Sequence, residues 1–228
     1  MRAVVIGLMA SLAMAGCNKS RTAEATATAA NVQQIAWRHG DVDDAFAEAR
    51  EQNKPVLLYW GAKWCPPCNA MKATLFRDPA FVAQTRSFVP IYLDGDSKGA
   101  QAWGERFAVA GYPTVIVLGP DRSEITRLSS NAAPAELAGV LRATAARIVP
   151  IDKLLPMART NPGQLSKEDW QLLANYNWFT DARHFRNPGA LPATLQHLAA
   201  TAPDPVLARR FALLAATLPA YADDSKPG

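Results

Sequence analysis

The sequence predicts an α/β fold, with a mixed central sheet flanked by helices and a helical region at the C-terminus. Two observations support this. Apolar runs typical of strands alternate with segments of helical periodicity as far as about residue 148. After Pro150 the strand-like runs stop and only helical patterns continue. A hydrophobic content of 49% and a charged content of 19% are ordinary for a chain that buries a real core.

The α/β region has the predicted element order β-α-β-α-β-α-β-β-α. Residues 35–38 suit a short first strand, and Asp41 can cap a helix with apolar residues at helical spacing. Residues 56–60 form the apolar run of a buried central strand, and Pro66 can begin the next helix. The later elements are predicted at residues 78–81 (a turn or short helix), 88–93 (strand), 100–107 (helix), 114–118 and 124–128 (an antiparallel pair) and 133–148 (helix).

The C-terminal region, residues 150–228, is predicted to be a small helical appendage. Helical patterns occur at residues 165–179, 191–200 and 206–218. The stretches Asn161-Pro162-Gly163 and Asn187-Pro188-Gly189 separate them.

The first 16 residues have the pattern of a secretion signal. Arg2 gives a positive start, and the uncharged run that follows is too short to span a bilayer comfortably. The run closes on small residues before Cys17 and resembles the lipobox of bacterial lipoproteins, which implies an acylated Cys17 as the mature N-terminus. A plain signal peptide with an incidental cysteine is the alternative. Residues 17–33 would then be the lipid anchor and a flexible tether, and residues 34–149 the α/β domain.

These features predict a location outside the cytoplasm, on a bacterial membrane and facing the periplasm. The formal net charge of +4 is only mildly basic, and no dense Lys/Arg block occurs. A nucleic-acid partner is therefore not predicted.

Cys65 and Cys68 stand close together, separated by two prolines, and three explanations compete for them. A zinc site would need further ligands, and no second cysteine pair exists. A purely structural disulfide would close a very short loop, where the entropic stabilisation is smallest. A redox pair fits better, because this spacing lets two thiols at the start of a helix reach each other. Neither a metal nor an organic cofactor is then predicted, because the two sulfurs hold the electrons.

Cys65 is the predicted nucleophile of this pair. It stands at the N-terminus of the helix that begins at Pro66, where the helix dipole and the free amides favour a thiolate. The thiolate is the attacking species in disulfide exchange. Cys68 lies one turn further into the helix, so it is predicted to be the shielded, resolving thiol.

Two motifs together resemble the thioredoxin family. They are Trp64-Cys65-Pro66-Pro67-Cys68 after a hydrophobic strand and Gly111-Tyr112-Pro113-Thr114 before another strand. The resemblance extends over residues 35–148 and implies a thioredoxin fold with thiol:disulfide oxidoreductase activity. It implies that a cis peptide bond precedes Pro113 and that Pro113 faces the cysteine pair. It also implies substrate contacts at Trp64, Pro66, Tyr112 and Pro113.

The sequence departs from the thioredoxin pattern at Tyr59. Six residues before the first cysteine, thioredoxins usually bury an acid that helps to deprotonate the resolving thiol, and here that position is Tyr59. A neutral phenol is a poor base near neutral pH. Proton transfer from Cys68 is then expected to use water, Lys63 or another group.

The direction of the reaction is predicted from the two prolines. Pro66 and Pro67 have no N–H to donate to the Cys65 sulfur, so the thiolate is less stabilised and the couple more reducing. The sequence thus predicts a membrane-anchored reductase of protein disulfides, supplied with electrons by a membrane thiol donor. The alternatives are a disulfide oxidase or isomerase that uses the same cysteines, and a thioredoxin-like binding module whose helical tail holds a partner.

Overall fold

The computed structural model describes residues 34–130, 132–185 and 189–224. The signal segment, Cys17 and the predicted tether lie outside these ranges. Among the helices within them, none combines the length and the apolar character needed to cross a bilayer.

A four-stranded mixed sheet forms the centre of the described structure, as predicted. Its strands are β1 (Val56–Gly61), β2 (Val89–Asp94), β3 (Thr114–Leu118) and β4 (Glu124–Leu128). Their spatial order is β2-β1-β3-β4, with β1 and β2 parallel and the other neighbours antiparallel. β1 and β3 are buried along their whole length, as expected for central strands covered on both faces.

The strand predicted at residues 35–38 is wrong as a full strand. It is a single parallel bridge between Arg38 and Ile91, in which the Tyr92 N–H donates to the Arg38 carbonyl at 3.0 Å. Asp41 follows three residues later and caps the next helix by accepting from the Asp43 N–H at 2.8 Å. The chain therefore turns away from the sheet edge before a second pair can form.

Helices cover both faces of the sheet. Alternate residues of β1 point to opposite sides: Leu57 and Tyr59 belong to one buried cluster, and Leu58 and Trp60 to another. The helices are α1 (Val42–Gln52), α2 (Pro66–Ala73), α3 (Pro79–Thr85), α4 (Ala100–Arg106), α5 (Pro134–Ala146), α6 (Ile151–Thr160), α7 (Lys167–Asn175), α8 (Ala182–Phe185), α9 (Leu191–Thr201) and α10 (Pro205–Asp224). Short 3₁₀ turns lie at Leu75–Arg77, Pro162–Gln164 and Trp178–Thr180.

The C-terminal region differs from the prediction in two elements. Helix α6 was not predicted, because Pro156 lies inside it and a proline normally ends or kinks a helix. The helix predicted at residues 165–179 begins with a capping box at Ser166 and ends at Asn175. It stops there because Tyr176 forms a bridge with Leu128 of β4, which requires extended backbone.

The C-terminal helices share a core with the sheet. Leu57 and Val115 of the central strands belong to the same buried cluster as Leu154, Trp178 and Phe211. The described residues form one compact unit, and the predicted boundary between residues 149 and 150 falls inside it. The architecture is a thioredoxin fold, with a mixed four-stranded sheet, flanking helices and extra helices at the C-terminus.

Candidate redox site

The cysteine pair lies where β1 delivers the chain to α2. Cys65 is the N-cap residue of α2, in extended conformation, and Pro66 is the first helical residue. A proline is tolerated there because the first amide of a helix has no intrahelical acceptor. The predicted start of this helix is thus confirmed, and Cys65 lies at the positive end of the helix dipole.

The two cysteines form a disulfide in this structure. Their Cα atoms are 5.2 Å apart, and the Cys68 N–H donates to the Cys65 sulfur at 3.2 Å. Cys65 is 2% exposed and Cys68 0%, whereas the preceding Trp64 is 66% exposed. Both cysteines are therefore buried, and Cys65 is slightly less so than Cys68.

The loop before β3 packs against the cysteine pair. The peptide bond between Tyr112 and Pro113 is cis. The Tyr112 ring contacts the small buried cluster of Ala62, Cys65 and Cys68. The structure therefore brings the two motifs together, although they are more than 40 residues apart in the sequence.

Aromatic residues frame the site on its outer side. The Tyr112 ring stacks on Trp60 at 5.9 Å and meets Trp64 edge-on at 5.7 Å. The Trp64 Nε1 donates to Asp96 Oδ2 at 2.6 Å, which fixes an otherwise exposed ring beside the disulfide. Asp96 is not among the predicted site residues, because nothing in the sequence distinguishes it from the neighbouring Asp94.

The prolines of the motif are placed differently from each other. Pro66 is exposed at the start of α2. Pro67 lines a groove beside the disulfide together with Tyr112 and Pro113. Pro67 is thus the proline of the motif that lines the groove, whereas Pro66 is the predicted substrate contact.

Tyr59 occupies the position of the usual buried acid and does not replace its chemistry. It is fully buried, its ring stacks on Tyr92 at 5.2 Å, and its hydroxyl has no hydrogen-bond partner among the described residues. Burial raises the pKa of Tyr59 well above the ordinary value, and the charges of Tyr92 and Asp94 raise it further. The phenol therefore stays protonated near neutral pH and cannot act as the base for Cys68.

A buried arginine on β4 holds the loop that leads to Pro113. Arg127 donates through Nη1 to the Thr180 carbonyl at 2.6 Å and through Nη2 to the Phe107 carbonyl. Its Nε donates to Glu124 Oε1 at 2.6 Å. Burial disfavours the guanidinium charge, but the ion pair with Glu124 outweighs burial and raises the pKa of Arg127.

The C-terminal region completes this network. Asp181 is buried; it forms an ion pair with Arg183, and its Oδ2 lies 2.6 Å from the Tyr176 hydroxyl. Burial opposes the ionisation of Asp181, but the hydrogen bond from Arg183 and the charge of Arg127 lower its pKa below the ordinary value.

Backbone bonds join the same segment to the loop. The Ala110 N–H donates to the Thr180 carbonyl at 3.0 Å, and the Ala182 N–H to the Ala108 carbonyl at 2.8 Å. Gly111, Tyr112 and Pro113 follow directly in the sequence. Residues 180–182 thus fix the chain immediately before the Pro113 loop.

Residues 36–120 match a family model described as thioredoxin-like. Among curated proteins, the thiol:disulfide interchange protein DsbD 1 of Pseudomonas aeruginosa is 31% identical over 85 residues, which are 36% of this chain and 14% of that protein. A DsbD of Vibrio vulnificus is 34% identical over 61 residues, or 27% of this chain and 10% of that protein.

A solved thioredoxin from Thermus thermophilus is 27% identical and covers 47% of this chain and 86% of its own, with a TM-score of 0.43. The chain spans only about one seventh of the first curated relative. The segment that matches the family model, residues 36–120, contains both cysteines of the pair and Pro113.

Proposed function

We propose that this protein is a thiol:disulfide oxidoreductase that reduces disulfides in other proteins, with Cys65 as the attacking thiol and Cys68 as the resolving thiol. The observation that supports it most is the disulfide at the N-terminus of α2, packed against the loop that holds Pro113. The match of residues 36–120 to a thioredoxin-like family model, and the similarity of 85 residues of this chain to a thiol:disulfide interchange protein, support the same chemistry.

The proposed reaction moves two electrons by two exchanges. The Cys65 thiolate attacks one sulfur of the substrate disulfide; the substrate S–S bond breaks, a mixed disulfide forms, and the departing thiolate takes a proton from solvent. Cys68 then loses its proton and attacks the Cys65 sulfur. The second substrate thiol leaves, and the protein ends with the 65–68 disulfide seen in the structure. A thiol donor must return two electrons, and we propose that it is a membrane protein.

The reductive direction is supported by the donors around the Cys65 sulfur. An N-cap side chain accepts hydrogen bonds from the second or third helical residue. The second residue here is Pro67, which has no N–H, and the third is Cys68, whose N–H donates at 3.2 Å. With one of the two usual donors missing, the thiolate is less stabilised and the reduced form less favoured.

We expect the reduction potential of the 65–68 couple to lie below about −200 mV. This threshold lies between the reference potentials of about −270 mV for thioredoxin and about −120 mV for DsbA. Equilibration against glutathione buffers measures it. Pro67→Ala restores an N–H at the second helical position and should raise the potential. Pro66→Ala, at the first position, should change it much less. A potential near the oxidant reference would favour the oxidase or isomerase instead.

We also propose that the mature chain is held on the extracytoplasmic side of a bacterial membrane by lipid on Cys17. The charged start at Arg2, the uncharged run and the small residues before Cys17 support this. Intact-mass analysis of membrane-extracted protein should show loss of residues 1–16 and addition of lipid. Cys17→Ala should release the protein from the membrane fraction. A soluble, unmodified mature form of the unaltered chain would contradict the anchor.

A further inference from the structure

A groove of about 520 Å³ opens beside the disulfide, and its two sides come from different halves of the chain. Pro67, Tyr112 and Pro113 line the side next to the cysteines, and Ser129, Ser130 and Ala132 of the segment after β4 line the groove as well. The opposite side, here called the C-terminal wall, consists of residues 174–177, 179–180, 210, 213–214 and 217. The first side belongs to the thioredoxin fold, whereas the C-terminal wall comes from the extra helices.

The groove lining carries little net charge. Arg210 is the charged residue in the lining that the structure describes, and it is already paired: it bonds Glu136 and donates to Asn175 Oδ1 at 2.7 Å. A negatively charged ligand would therefore find no unpaired cation to bind in the described lining. The groove therefore suits an uncharged ligand.

An apolar side chain is left exposed on the C-terminal wall. Leu213 of α10 is 65% exposed and lines the groove, and Trp64 is 66% exposed beside the disulfide. Leu213 therefore offers an apolar surface to a ligand in the groove. The volume of the groove lies within the range of about 300–1,000 Å³ that is typical of ligand-binding clefts.

The C-terminal wall is held in register with the Pro113 loop. The Asn177 N–H donates to the Arg127 carbonyl at 3.0 Å, and the Ala110 N–H donates to the Thr180 carbonyl at 3.0 Å. Arg127 itself bonds the backbone on both sides, at Ala108 and at Thr180. The two sides of the groove are therefore set before any ligand arrives, which lowers the entropic cost of binding.

We propose that the C-terminal wall determines specificity, by binding an uncharged, apolar side chain close in sequence to the cysteine of a polypeptide substrate. The occupant is an extended segment of the substrate protein, because the groove is lined by Pro67, which precedes Cys68, and by Tyr112, which packs against both cysteines. The residues beside a substrate cysteine that reaches Cys65 are therefore close to this groove. The inference rests on the proposed reductase function.

The test uses two matched variants on the same helix. Leu213→Glu places a carboxylate on the C-terminal wall, and Val206→Glu places one on α10 outside the groove lining. Both residues are highly exposed, at 65% and 71%, so the two changes disturb the core equally little. Each protein is reduced and assayed with a disulfide peptide that has leucine beside its cysteine, with the same peptide carrying glutamate there, and with 2-hydroxyethyl disulfide.

We expect Leu213→Glu to lower kcat/KM for the leucine peptide about tenfold, the scale of one apolar contact in a binding pocket. The rate with 2-hydroxyethyl disulfide should stay unchanged, and Val206→Glu should leave all rates unchanged. Leu213→Lys should also weaken the leucine peptide but improve the glutamate peptide, which shows that charge and not folding is responsible.

Equal leucine-peptide rates in Leu213→Glu and the unaltered protein would overturn the role of the C-terminal wall while leaving the reductase intact. The same loss in Val206→Glu would overturn it too, because a general charge effect would then explain the result. Failure of the unaltered protein to reduce any of the three disulfides would contradict the proposed function itself.

Discussion

Replacement of Cys65 by serine is expected to lower protein-disulfide reduction by more than about 1,000-fold, the scale seen when a catalytic nucleophile is removed. A serine hydroxyl forms neither a thiolate nor a disulfide near neutral pH, so the first exchange cannot occur. The measurement is the rate of insulin reduction with dithiothreitol as electron source. Loss of the disulfide should cost little stability, because it closes a loop with only two residues between the cysteines.

Cys68→Ser is the matched control for this prediction. It should also stop turnover, but it leaves Cys65 able to attack and unable to be released. Mixed disulfides with substrate proteins should therefore accumulate in Cys68→Ser and be absent from Cys65→Ser, as seen on non-reducing gels. If alkylation or trapping occurs first at Cys68, the two roles are reversed. If the double serine variant keeps full function in cells, the binding-module alternative is correct.

Arg127→Met is expected to cost about 3–5 kcal/mol of unfolding free energy, because it removes the fully buried cation paired with Glu124 and leaves that buried carboxylate with only the partly exposed Arg183 as an ion-pair partner among the described residues. It also removes the donors to the carbonyls of Phe107 and Thr180. Arg38→Met breaks the partly exposed ion pair with Glu48 and should cost no more than about 1 kcal/mol. Denaturant unfolding of the three proteins provides the comparison. Equal losses in both variants would mean that the buried network adds nothing beyond a surface pair.

The same network predicts a pH dependence that Asp181→Asn isolates. The pKa of Asp181 is lowered in the folded protein from its ordinary value of 3.8, so its charge stabilises the fold fully above that pH. This contribution is lost as the pH falls below 3.8 through the folded pKa. The stability difference between the unaltered protein and Asp181→Asn should therefore be largest near neutral pH and shrink below about pH 4. A difference that stays constant into acid would show that the charge of Asp181 is not what stabilises the network.

Local patterns predicted the α/β half of the fold well. The pair of strands around the turn at residues 119–123 was placed correctly, because apolar β-rich runs are bounded by Gly119 and Pro120. The start of α2 followed from Pro66, and the proximity of the two motifs followed from the resemblance. The first two signals lie within a few neighbouring residues, whereas the third combines two motifs that are more than 40 residues apart.

Long-range contacts were beyond the same reasoning. Arg127 bonds Thr180 across 53 residues, and nothing in the β4 pattern distinguishes it from a solvent-facing arginine on a half-buried strand. The C-terminal wall was missed for a similar reason: Leu213 looks like any apolar residue of an amphipathic helix. Which side of α10 stays uncovered depends on how that helix packs, and the packing is set by tertiary contacts.

The shared core limits how this redox domain can be transplanted. Leu57 and Val115 on the sheet pack in one cluster with Leu154 and Phe211 of the later helices. If residues 34–149 alone were fused to another protein, the apolar side chains on that face of the sheet would be exposed to solvent. Arg127 would also lose the Thr180 carbonyl as a hydrogen-bond acceptor. A transferable redox domain therefore has to include the later helices. Exchanging those helices between related chains would replace both the C-terminal wall of the groove and the contacts that hold the Pro113 loop.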